Sequence, residues 1–563
     1  MAEILLNPAL VFIAGAALVP LLRGTARNLY LLAVPAAALA LLWWLPAGDH
    51  GALNVFGMSL NTLRLDKLSF VFGVIFHLAA LLTAIYAWHL RDTLQQVATL
   101  VYAGAGIGAL LAGDLVTLFV YWELTAIASV FLIWARRTER SYRVGLRYLI
   151  VQVSSGLLLL AGVILQWQQT GSVAFERFEL EGLAAWLIFL AFGVKCAFPL
   201  LHNWLQDAYP EATVTGTVVL SVYTTKLAVY ALARGFPGTE LLIYLGVAMT
   251  LFPIFFAVIE NDLRRVLAYS LNNQLGFMVA GIGIGTELAI NGAVSHAFAH
   301  ILYKALLFMA MGAVLFRVGT IKASELGGLY KSMPWTAGFC IVGSMSISAF
   351  PLMSGFVTKS MILVAAADEG RWLVWLGLLV ASAGVLDHSG IKIPFFSFFA
   401  HDSGKRCDEA PAGMRIAMAL AATLCIGIGV WPQPLYALLP YAVTFEPYTA
   451  THVVTQLQLL LFAAAAFAFL FRRGWYPAEI PGLNLDTDWV YRRAGPALWR
   501  AARASAERLW SGGVALLGAL GRAGGQALAP VRPDGWLATP WSTNAVVGWI
   551  VLLLSAFLVL ALF

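Results

Sequence analysis

The sequence is poor in charged residues. Of its 563 residues only 11% are Asp, Glu, Lys or Arg, whereas 61% are hydrophobic and the mean hydropathy is +0.82. Water-soluble globular proteins carry roughly a quarter charged residues. This chain could not cover a surface that faces water, so its composition excludes a soluble enzyme. The same numbers exclude a collagen, a coiled coil and a disordered chain.

Cysteine is also scarce, with four in the whole chain and no CxxC pair. The spacing argues against a disulfide framework, a zinc site or an iron–sulfur cluster held by this chain alone. The sequence shows no flavin or nucleotide motif either. We therefore predict that the chain holds no cofactor and no metal, and that any redox chemistry belongs to other subunits.

Long apolar runs recur along the whole chain. We count sixteen that are close to the roughly 20 residues a helix needs to cross a bilayer. Because these runs are apolar on every face, they do not fit the alternating strands of a membrane barrel. The sequence predicts an all-α polytopic membrane protein of about sixteen transmembrane helices. The N-terminus lacks a basic region, so it is interpreted as the first spanning helix rather than a cleaved signal peptide.

The net charge of +6 comes mostly from Lys and Arg in short loops. If successive loops lie on opposite sides of the membrane, most of these basic residues fall on one side. Arg136, Arg137 and Arg140 are among them. By the positive-inside rule that side is cytoplasmic and both termini lie outside, in the plasma (inner) membrane of a prokaryote. The basic residues are thus topology signals, and nucleic acid is not a predicted partner.

Residues 474–543 differ from the rest, because arginines are spaced along small and apolar residues. This pattern predicts a cytoplasmic lateral amphipathic segment, with its basic face towards headgroups or a partner. Two structures fit it equally well: one long helix over 488–525, or two short helices broken at Gly512 and Gly513. A final transmembrane helix follows at 544–563.

Several ionisable residues fall inside the apolar runs. Each costs at least about 2.5–3.5 kcal/mol near the bilayer centre, so such residues are candidates for function. The candidates are Glu123, Lys195, Lys226, His296, His300, Lys304, Lys359 and Lys392. Three of them, spaced i, i+4 and i+8 over 296–304, share one helical face and favour a proton relay.

Structural explanations compete with this interpretation. Lys226 and Lys392 could extend to an interface, a single histidine is more often a satisfied core residue, and Glu123 with Lys195 could form a buried salt bridge. A lysine whose distance from a carboxylate changes would bind a proton in one state and release it in another. Histidines can pass protons between such stations.

The lysines also show a regularity. Lys195 lies close to Pro199, and Lys359 follows Pro351, so both helices are predicted to be broken near the lysine. The next apolar run in each half carries another lysine, at 226 and 392. Interrupted helices at corresponding positions of two halves are typical of transporter repeats.

Five motifs carry a family resemblance: YWELTAIASVFLIW, FGVKCAFPLLHNWLQDAYPEATVTGTVVLSVYTTKLAVYAL, ENDLRRVLAYSLNNQLGFM, SHAFAHILYKALLFM and FPLMSGFVTKSMIL. They resemble the antiporter-like, proton-translocating subunits shared by respiratory complex I, membrane-bound hydrogenases and Mrp-type cation/proton antiporters. The sequences of these motifs are most similar to the D-type branch of the Mrp antiporter subunits. The resemblance covers about residues 60–400 in order.

The resemblance implies a role for each candidate. Glu123 and Lys195 correspond to the glutamate and lysine of the first half-channel, and Lys226 to the bridging lysine. The trio over 296–304 matches the central relay helix, and Lys359 matches the lysine of the second half-channel. Lys392 is a weaker assignment, and the Asp387–His388 pair beside it has no place in the family pattern. Asn272 and Asn273 stand where relatives commonly have Ser-His.

The resemblance also implies two inverted five-helix repeats. Together with the apolar pattern it divides the chain into N-terminal helices (1–95), a first repeat (96–234), a second repeat (240–399), C-terminal helices (400–472), the lateral segment (474–543) and the final helix. Expected partners are other membrane subunits, among them a larger homologous one, together with protons, Na⁺ or K⁺ and the lipid bilayer.

Three functions remain open. The first is a proton-translocating subunit of a Na⁺ or K⁺/proton antiporter, which is a transporter and not an enzyme. The second is a proton-pumping membrane-arm subunit of a complex I-like NADH:quinone oxidoreductase or a related redox complex. The third is a repurposed scaffold, for example one that powers uptake of inorganic carbon, and the full set of lysines argues against it.

Overall fold

The structure is a computed structural model that describes residues 6–480, 482, 484, 486–531 and 541–562. It contains two compact units, Met1–Asp486 and Thr487–Phe563. Almost all regular structure is helical, which confirms the predicted fold class. The boundary lies after Asp486, so residues 474–486 belong to the first unit, although the sequence grouped them with the lateral segment.

In the part that the structure describes, the first half of the first unit contains ten α-helices, one 3-10 helix (Val19–Leu21) and one β-hairpin. In chain order the α-helices and strands are α1 (Pro8–Leu18), α2 (Gly24–Trp44), β1 (Gly48–Val55), β2 (Met58–Leu65), α3 (Lys67–Tyr86), α4 (Thr93–Leu110), α5 (Leu115–Trp134), α6 (Glu139–Thr170), α7 (Gly182–Lys195), α8 (Asn203–Glu211), α9 (Val214–Leu220) and α10 (Thr224–Gly235).

The second half of this unit continues with α11 (Glu240–Ile259), α12 (Leu263–Ile284), α13 (Glu287–Val318), α14 (Pro334–Ile347), α15 (Ser354–Asp368), α16 (Trp372–Val385), the short α17 (Lys392–Pro394), α18 (Ala412–Val430), α19 (Gln433–Tyr436) and α20 (Ala450–Arg472). Two π-helical stretches, Leu386–Ile391 and Phe395–Phe399, flank α17.

Eleven helical segments among the described residues are long and apolar enough to cross a membrane. Each of the sixteen apolar runs coincides with a helix or a broken helix. Several of these helices are shorter or more polar than an isolated spanning helix, as expected for broken helices packed inside a bundle. The polytopic helical fold is confirmed, and the count of sixteen spans stays a prediction.

Polar side chains start many of these helices. Asp66, Asp92, Asp114, Thr138 and Asp262 each accept a hydrogen bond from a backbone amide of the first turn. Such caps satisfy amides that have no partner within the helix. These capping residues precede the apolar runs, so each helix starts near the beginning of a run.

The β-hairpin was not predicted. β1 and β2 pair antiparallel with Asp49 opposite Arg64, and those two side chains form an ion pair of 2.7 Å. The segment is short, polar and lies between two apolar runs. Its sequence therefore does not distinguish a hairpin from any other connecting loop. Asp114 also accepts from the backbone amide of Asn61 at 3.0 Å, which attaches the hairpin to the start of α5.

Two breaks in the bundle have the same backbone. After α7, Ala197 and Leu200 have φ of 61° and 70°; after α14, Ala349 and Leu352 have φ of 56° and 72°. The same four residues, Ala-Phe-Pro-Leu, form both breaks. Proline lacks the amide that a continuing helix needs, and positive φ turns the chain out of the helix. The helix breaks predicted near Lys195 and Lys359 are therefore confirmed.

Helix α13 occupies the centre of the first unit. It packs against α3, α9, α12, α14, α15 and α18. Every residue from Ala289 to Val314 is buried. A helix buried on all sides is expected to be apolar all round. The polar residues of α13 depart from this expectation, and they are therefore candidates for function.

The second unit contains a π-helical stretch (Val490–Ala494), then α21 (Gly495–Ala527) and α22 (Thr543–Leu562). Helix α21 passes through Gly512 and Gly513 without a break. Of the two structures that the sequence allowed for the lateral segment, the single long helix is confirmed. Within it, Arg503 and Glu507 form an ion pair of 2.8 Å one turn apart.

Candidate functional site

The candidate residues lie inside the first unit, mostly away from solvent. The five lysines and two histidines expose 1% of their surface or less, and Glu123 is half-buried. Lys226 and Lys392 are both fully buried, so neither extends to an interface. Removing an ammonium from water costs several kcal/mol unless partners replace the water, so the partners of each lysine define its environment.

Lys195 is the last residue of α7 and lies against α5. Its ammonium donates to the carbonyl oxygen of Trp122 at 2.5 Å and to the Thr125 hydroxyl at 2.9 Å. It also lies 4.4 Å from the centre of the Trp122 ring, within cation–π range. The break after α7 leaves this ammonium at a free helix end, where α5 supplies its acceptors.

Glu123 points to a different neighbour. Its carboxylate lies against Gly156 of α6, where an added Cβ would come within 1.5 Å of Oε1. Among the side chains that the structure describes, Oε1 has no hydrogen-bond partner, and Glu123 forms no ion pair with Lys195. The two groups are still electrostatic neighbours. The buried salt bridge considered from the sequence is absent from these described residues.

Lys226 lies just beyond a second break, between α9 and α10. Its ammonium donates to the carbonyl of Ser221 at 2.6 Å, at the end of α9. Lys226 is a charged neighbour of both His300 and Lys304 on α13. The structure thus brings the lysine of α10 to the central helix.

The three residues on α13 line one face, as their spacing predicts. His296 hydrogen-bonds Thr358 of α15 through Nδ1 and Gln274 of α12 through Nε2, both at 3.1 Å. The rings of His296 and His300 stack with centroids 6.3 Å apart. Within the described part of the chain, neither ring nitrogen of His300 nor Nζ of Lys304 has a hydrogen-bond partner.

Lys359 lies on α15, one residue after Thr358. Its ammonium donates to the carbonyl of Ile347 at 3.0 Å, at the end of α14, and lies 5.0 Å from the Phe277 ring centre. Because Thr358 also contacts His296, the α13 histidines and Lys359 belong to one polar cluster.

Asn273 takes part in this cluster from α12. Gln274 donates to the side-chain oxygen of Asn273 at 2.6 Å, and Asn273 donates to the carbonyl of Thr250 at 2.5 Å. The side-chain nitrogen and oxygen of Asn272 have no partner among the described residues. An amide at 273 keeps the hydrogen-bonded connection to His296 but cannot carry a proton at ordinary pH.

Lys392 lies at the distorted end of the helix that begins as α16. Its ammonium donates to the carbonyls of Val258 and Glu260 at 2.6 and 2.7 Å, and lies 3.0 Å from Oε1 of Glu479. Asp387 is a further charged neighbour of this group. Lys392 thus has a defined acidic environment, of which the sequence revealed only Asp387.

Sequence reasoning missed Glu479, Asp486 and Ser389, and it named His388 only as a residue outside the family pattern. Glu479 pairs with Lys392, and Asp486 accepts from His202 at 2.6 Å. His388, which had no place in the family pattern, is buried and has Lys304, Lys359 and Lys392 as charged neighbours. Ser389 links His388 to Ser270 through contacts of 2.8 and 2.7 Å. One sequence signal could have found Glu479 and Asp486: residues 479–488 contain three acidic residues, although this region is predicted to lie on the side of the membrane where the loops are basic.

With this geometry in place, comparison with known proteins identifies the family. The family described as "NADH:quinone oxidoreductase/Mrp antiporter, TM" matches residues 112–384, which contain Glu123, Lys195 and Lys359. The D-type subunit of a Na⁺/H⁺ antiporter from Alkalihalophilus pseudofirmus is 30% identical over 363 residues, 59% of this chain and 72% of that relative. The chain belongs to this family.

Other members of the NADH:quinone oxidoreductase/Mrp antiporter family match over similar lengths. The N-type subunit of a Desulforudis audaxviator NADH-quinone oxidoreductase is 30% identical, covering 60% of this chain and 74% of the relative. Hydrogenase-4 component B of Escherichia coli is 25% identical over 535 residues, which is 84% of this chain and 77% of the relative. The family members are subunits of multi-subunit membrane complexes, and this chain is a proton-translocating membrane subunit of that kind.

Solved structures share the fold of this family member. A chain of the Mrp complex from Dietzia sp. superposes with a TM-score of 0.71 at 23% identity, covering 83% of this chain and all of that one. A chain of an archaeal membrane-bound sulfane sulfur reductase superposes with a TM-score of 0.68 at 22% identity, covering 82% of this chain and 99% of that one. The same membrane fold thus occurs in an Mrp complex and in an archaeal respiratory membrane complex.

Proposed function

We propose that the chain is the proton-translocating subunit of a multi-subunit Na⁺ or K⁺/proton antiporter of Mrp type. It would lie in the plasma membrane of a prokaryote with both termini outside, beside other membrane subunits that include a larger homologue. Two relatives carry antiporter names that support this choice. They are the D-type subunit of the Na⁺/H⁺ antiporter and the A/B-type subunit of a probable K⁺/H⁺ antiporter of Rhizobium meliloti, which is 29% identical.

The observation that carries the proposal is a series of protonatable groups on neighbouring helices, all of them buried except the half-buried Glu123. The series runs from Glu123 and Lys195, through Lys226, to the α13 trio and then Lys359. Such groups are costly inside a membrane and are expected where they carry a charge or a proton. Protons would pass from one group to the next, and no covalent chemistry is needed.

The first step depends on the separation of Glu123 from Lys195. The Lys195 ammonium is held by Trp122 and Thr125, while the Glu123 carboxylate lies against Gly156. A movement that brings the carboxylate to the ammonium would favour the charged pair, and its reversal would favour proton release. Glu123 would therefore control when Lys195 gives up its proton.

A second candidate is a proton-pumping subunit of a complex I-like NADH:quinone oxidoreductase or a related redox complex. The observation that favours it is the hydrogenase-4 component B match, which covers 84% of this chain against 59% for the D-type antiporter relative. The same proton path would serve in that setting. The two candidates differ in the partner subunits and in the source of energy.

The test is Lys195→Ala in the intact complex, assayed in everted membrane vesicles. We expect Na⁺- or K⁺-driven proton movement to be lost while the complex still assembles, because the substitution removes the buried ammonium at the end of α7. Lys67→Ala is the matched control, since Lys67 begins α3 and is exposed. Normal transport by an assembled Lys195→Ala complex would refute the proposed path.

Native purification through this chain separates the two candidates. Mass spectrometry that recovers membrane subunits and a larger homologue, with cation-driven proton movement in vesicles, would support the antiporter. Recovery of cluster-bearing peripheral subunits, with proton movement that needs an electron donor, would support the redox complex instead.

A further inference from the structure

The segment that follows α20 carries acidic groups onto the body of the first unit. We call its described residues, 474–480, 482, 484 and 486, the acidic strap. Glu479 pairs with Lys392, and Asp486 accepts from His202 beyond the break after α7. Between them, Asn484 donates to the carbonyl of Ile259 at 3.1 Å. The acidic strap therefore contacts both halves of the bundle.

The contacts of Lys392 give Glu479 a particular position. An ammonium has three N–H donors. This one donates to the carbonyls of Val258 and Glu260 and forms an ion pair with the Glu479 carboxylate at 3.0 Å. A backbone carbonyl cannot take up a proton at accessible pH, whereas a carboxylate can. Of these three partners, only Glu479 can therefore receive a proton from Lys392.

Glu479 also lines a cavity. The cavity has a volume of about 460 Å³, and its walls include Phe396, His401, Phe471, Tyr476, Ala478 and Glu479. This volume is much larger than the roughly 30 Å³ that one water molecule takes up in the liquid. Ala478 is exposed, while the side chain of Glu479 retains 8% of its exposure. Glu479 thus lies between the cavity and the buried Lys392.

Burial raises the pKa of the Glu479 carboxyl above its usual range, although the Lys392 ammonium acts in the opposite direction. A carboxyl group with a raised pKa is closer to the working pH and exchanges a proton more readily. Glu260 and Asp387 are the other acidic neighbours of Lys392.

A second buried titratable group, His388, lies on the same distorted helix end as Lys392. His388 lies one helical turn before it and has Lys304, Lys359 and Lys392 as charged neighbours. Nε2 of His388 has no hydrogen-bond partner in the described structure, and Nδ1 contacts Ser389 at 2.8 Å. An imidazole can relay a proton between neighbouring groups through intervening water.

From these contacts we infer that Glu479 is a proton-transfer residue, which connects Lys392 and the central helix to water in the cavity of the acidic strap. The inference rests on the proposed proton-translocating function and adds a branch to its path. The branch runs from Lys304 or Lys359 through His388 and Lys392 to Glu479. At each step one proton moves between two groups, and Glu479 finally exchanges its proton with water in the cavity.

The test compares Glu479→Gln, Glu479→Asp and Glu325→Gln in the intact complex. Glutamine keeps the size of the side chain and an oxygen beside Lys392, but it cannot carry a proton. We expect Glu479→Gln to lower proton movement at least tenfold, with assembly retained, and Glu479→Asp to restore a substantial part of it. Glu325→Gln is the matched control because Glu325 forms an ion pair with Lys322 in which both side chains are partly exposed. The proton movement of this variant should be unchanged.

Two outcomes overturn the inference. Full proton movement by Glu479→Gln, alongside loss in Lys195→Ala, would remove Glu479 from the path and leave the proposed function intact. Equal loss in Glu479→Gln and Glu479→Asp would mean that the glutamate has a structural role only. If Lys195→Ala also transports normally, it is the proposed function that fails.

A labelling experiment tests the cavity without relying on a charge-removing variant. Ala478→Cys is made with Cys407→Ser, because Cys407 is the one cysteine of the four that is partly exposed. A membrane-impermeant cationic thiol reagent should label Cys at 478 in everted vesicles and slow proton movement severalfold. Failure to label from either side of the membrane, in a complex that transports protons, would show that the cavity is closed to water and would overturn the inference.

Discussion

The ammonium of Lys359 donates a hydrogen bond to the carbonyl of Ile347 at 3.0 Å. Ile347 precedes the Ala-Phe-Pro-Leu break of the second half by two residues, and Lys195 precedes the break of the first half by the same spacing. A lysine therefore reaches the same helix end in both halves. In the first half it is part of that end, and in the second it comes from the helix beyond the break.

This relationship predicts that the lysine of the second half can be relocated. Lys359→Ala should lower proton movement to roughly a hundredth, the effect of removing a proton-transfer group. Ile347→Lys combined with Lys359→Ala should recover part of it, because the ammonium returns to the same helix end. Proton movement in vesicles measures both. No recovery in an assembled double variant would contradict the equivalence of the two ends.

A second prediction concerns the space around Glu123. In Gly156→Ala the added Cβ would overlap the Glu123 carboxylate, so the carboxylate must move. We expect proton movement to fall severalfold while the complex assembles, since the acid is displaced but retained. Gly427→Ala on α18 is the matched control, because nothing lies within 4 Å of its added Cβ. Equal activity of the two variants would show that the position of Glu123 does not matter.

Local sequence predicted the parts of the site that depend on local chemistry. The apolar runs gave the helices, prolines 199 and 351 gave the breaks, and the spacing of His296, His300 and Lys304 gave the polar face of α13. These features follow from bilayer thickness, the missing amide of proline and helical periodicity. They need no knowledge of distant contacts.

The features that sequence analysis missed depend on distant parts of the chain. Glu479 reaches Lys392 only because the acidic strap folds back onto the bundle, and nothing near Lys392 in sequence indicates this. The β-hairpin is held by contacts to α5 that its own residues do not predict. The left-handed conformation at Ala197 is also unexpected, since alanine rarely adopts positive φ.

We predict that replacing Lys304 has opposite effects on the stability of the complex and on proton transport. Its buried ammonium has no hydrogen-bond partner among the described residues, and a buried unsatisfied polar group costs about 1–3 kcal/mol. Lys304→Met should therefore raise the thermal stability of the complex while proton movement falls.

Lys226→Met is the matched control for this prediction. Its ammonium donates to the carbonyl of Ser221, and the substitution would leave that buried carbonyl without its donor. We expect this variant to lose proton movement without any gain in thermal stability. A fall in stability for Lys304→Met would instead indicate that the lysine holds the helices together.

The last prediction concerns the backbone of the first break. Ala197 has φ of 61°, a conformation that costs an L-residue with a Cβ roughly 1–2 kcal/mol and costs glycine almost nothing. Ala197→Gly should raise the free energy of unfolding by about 1 kcal/mol and leave proton movement intact. Ala197→Val should prevent assembly, because a β-branched residue fits this conformation poorly.

Ala191→Gly in the buried helical part of α7 is the control, and it should lower stability by about 0.5–1 kcal/mol. If both glycine variants are destabilised equally, the left-handed turn is not a source of strain, and the proline alone must account for the break that places Lys195 at a helix end.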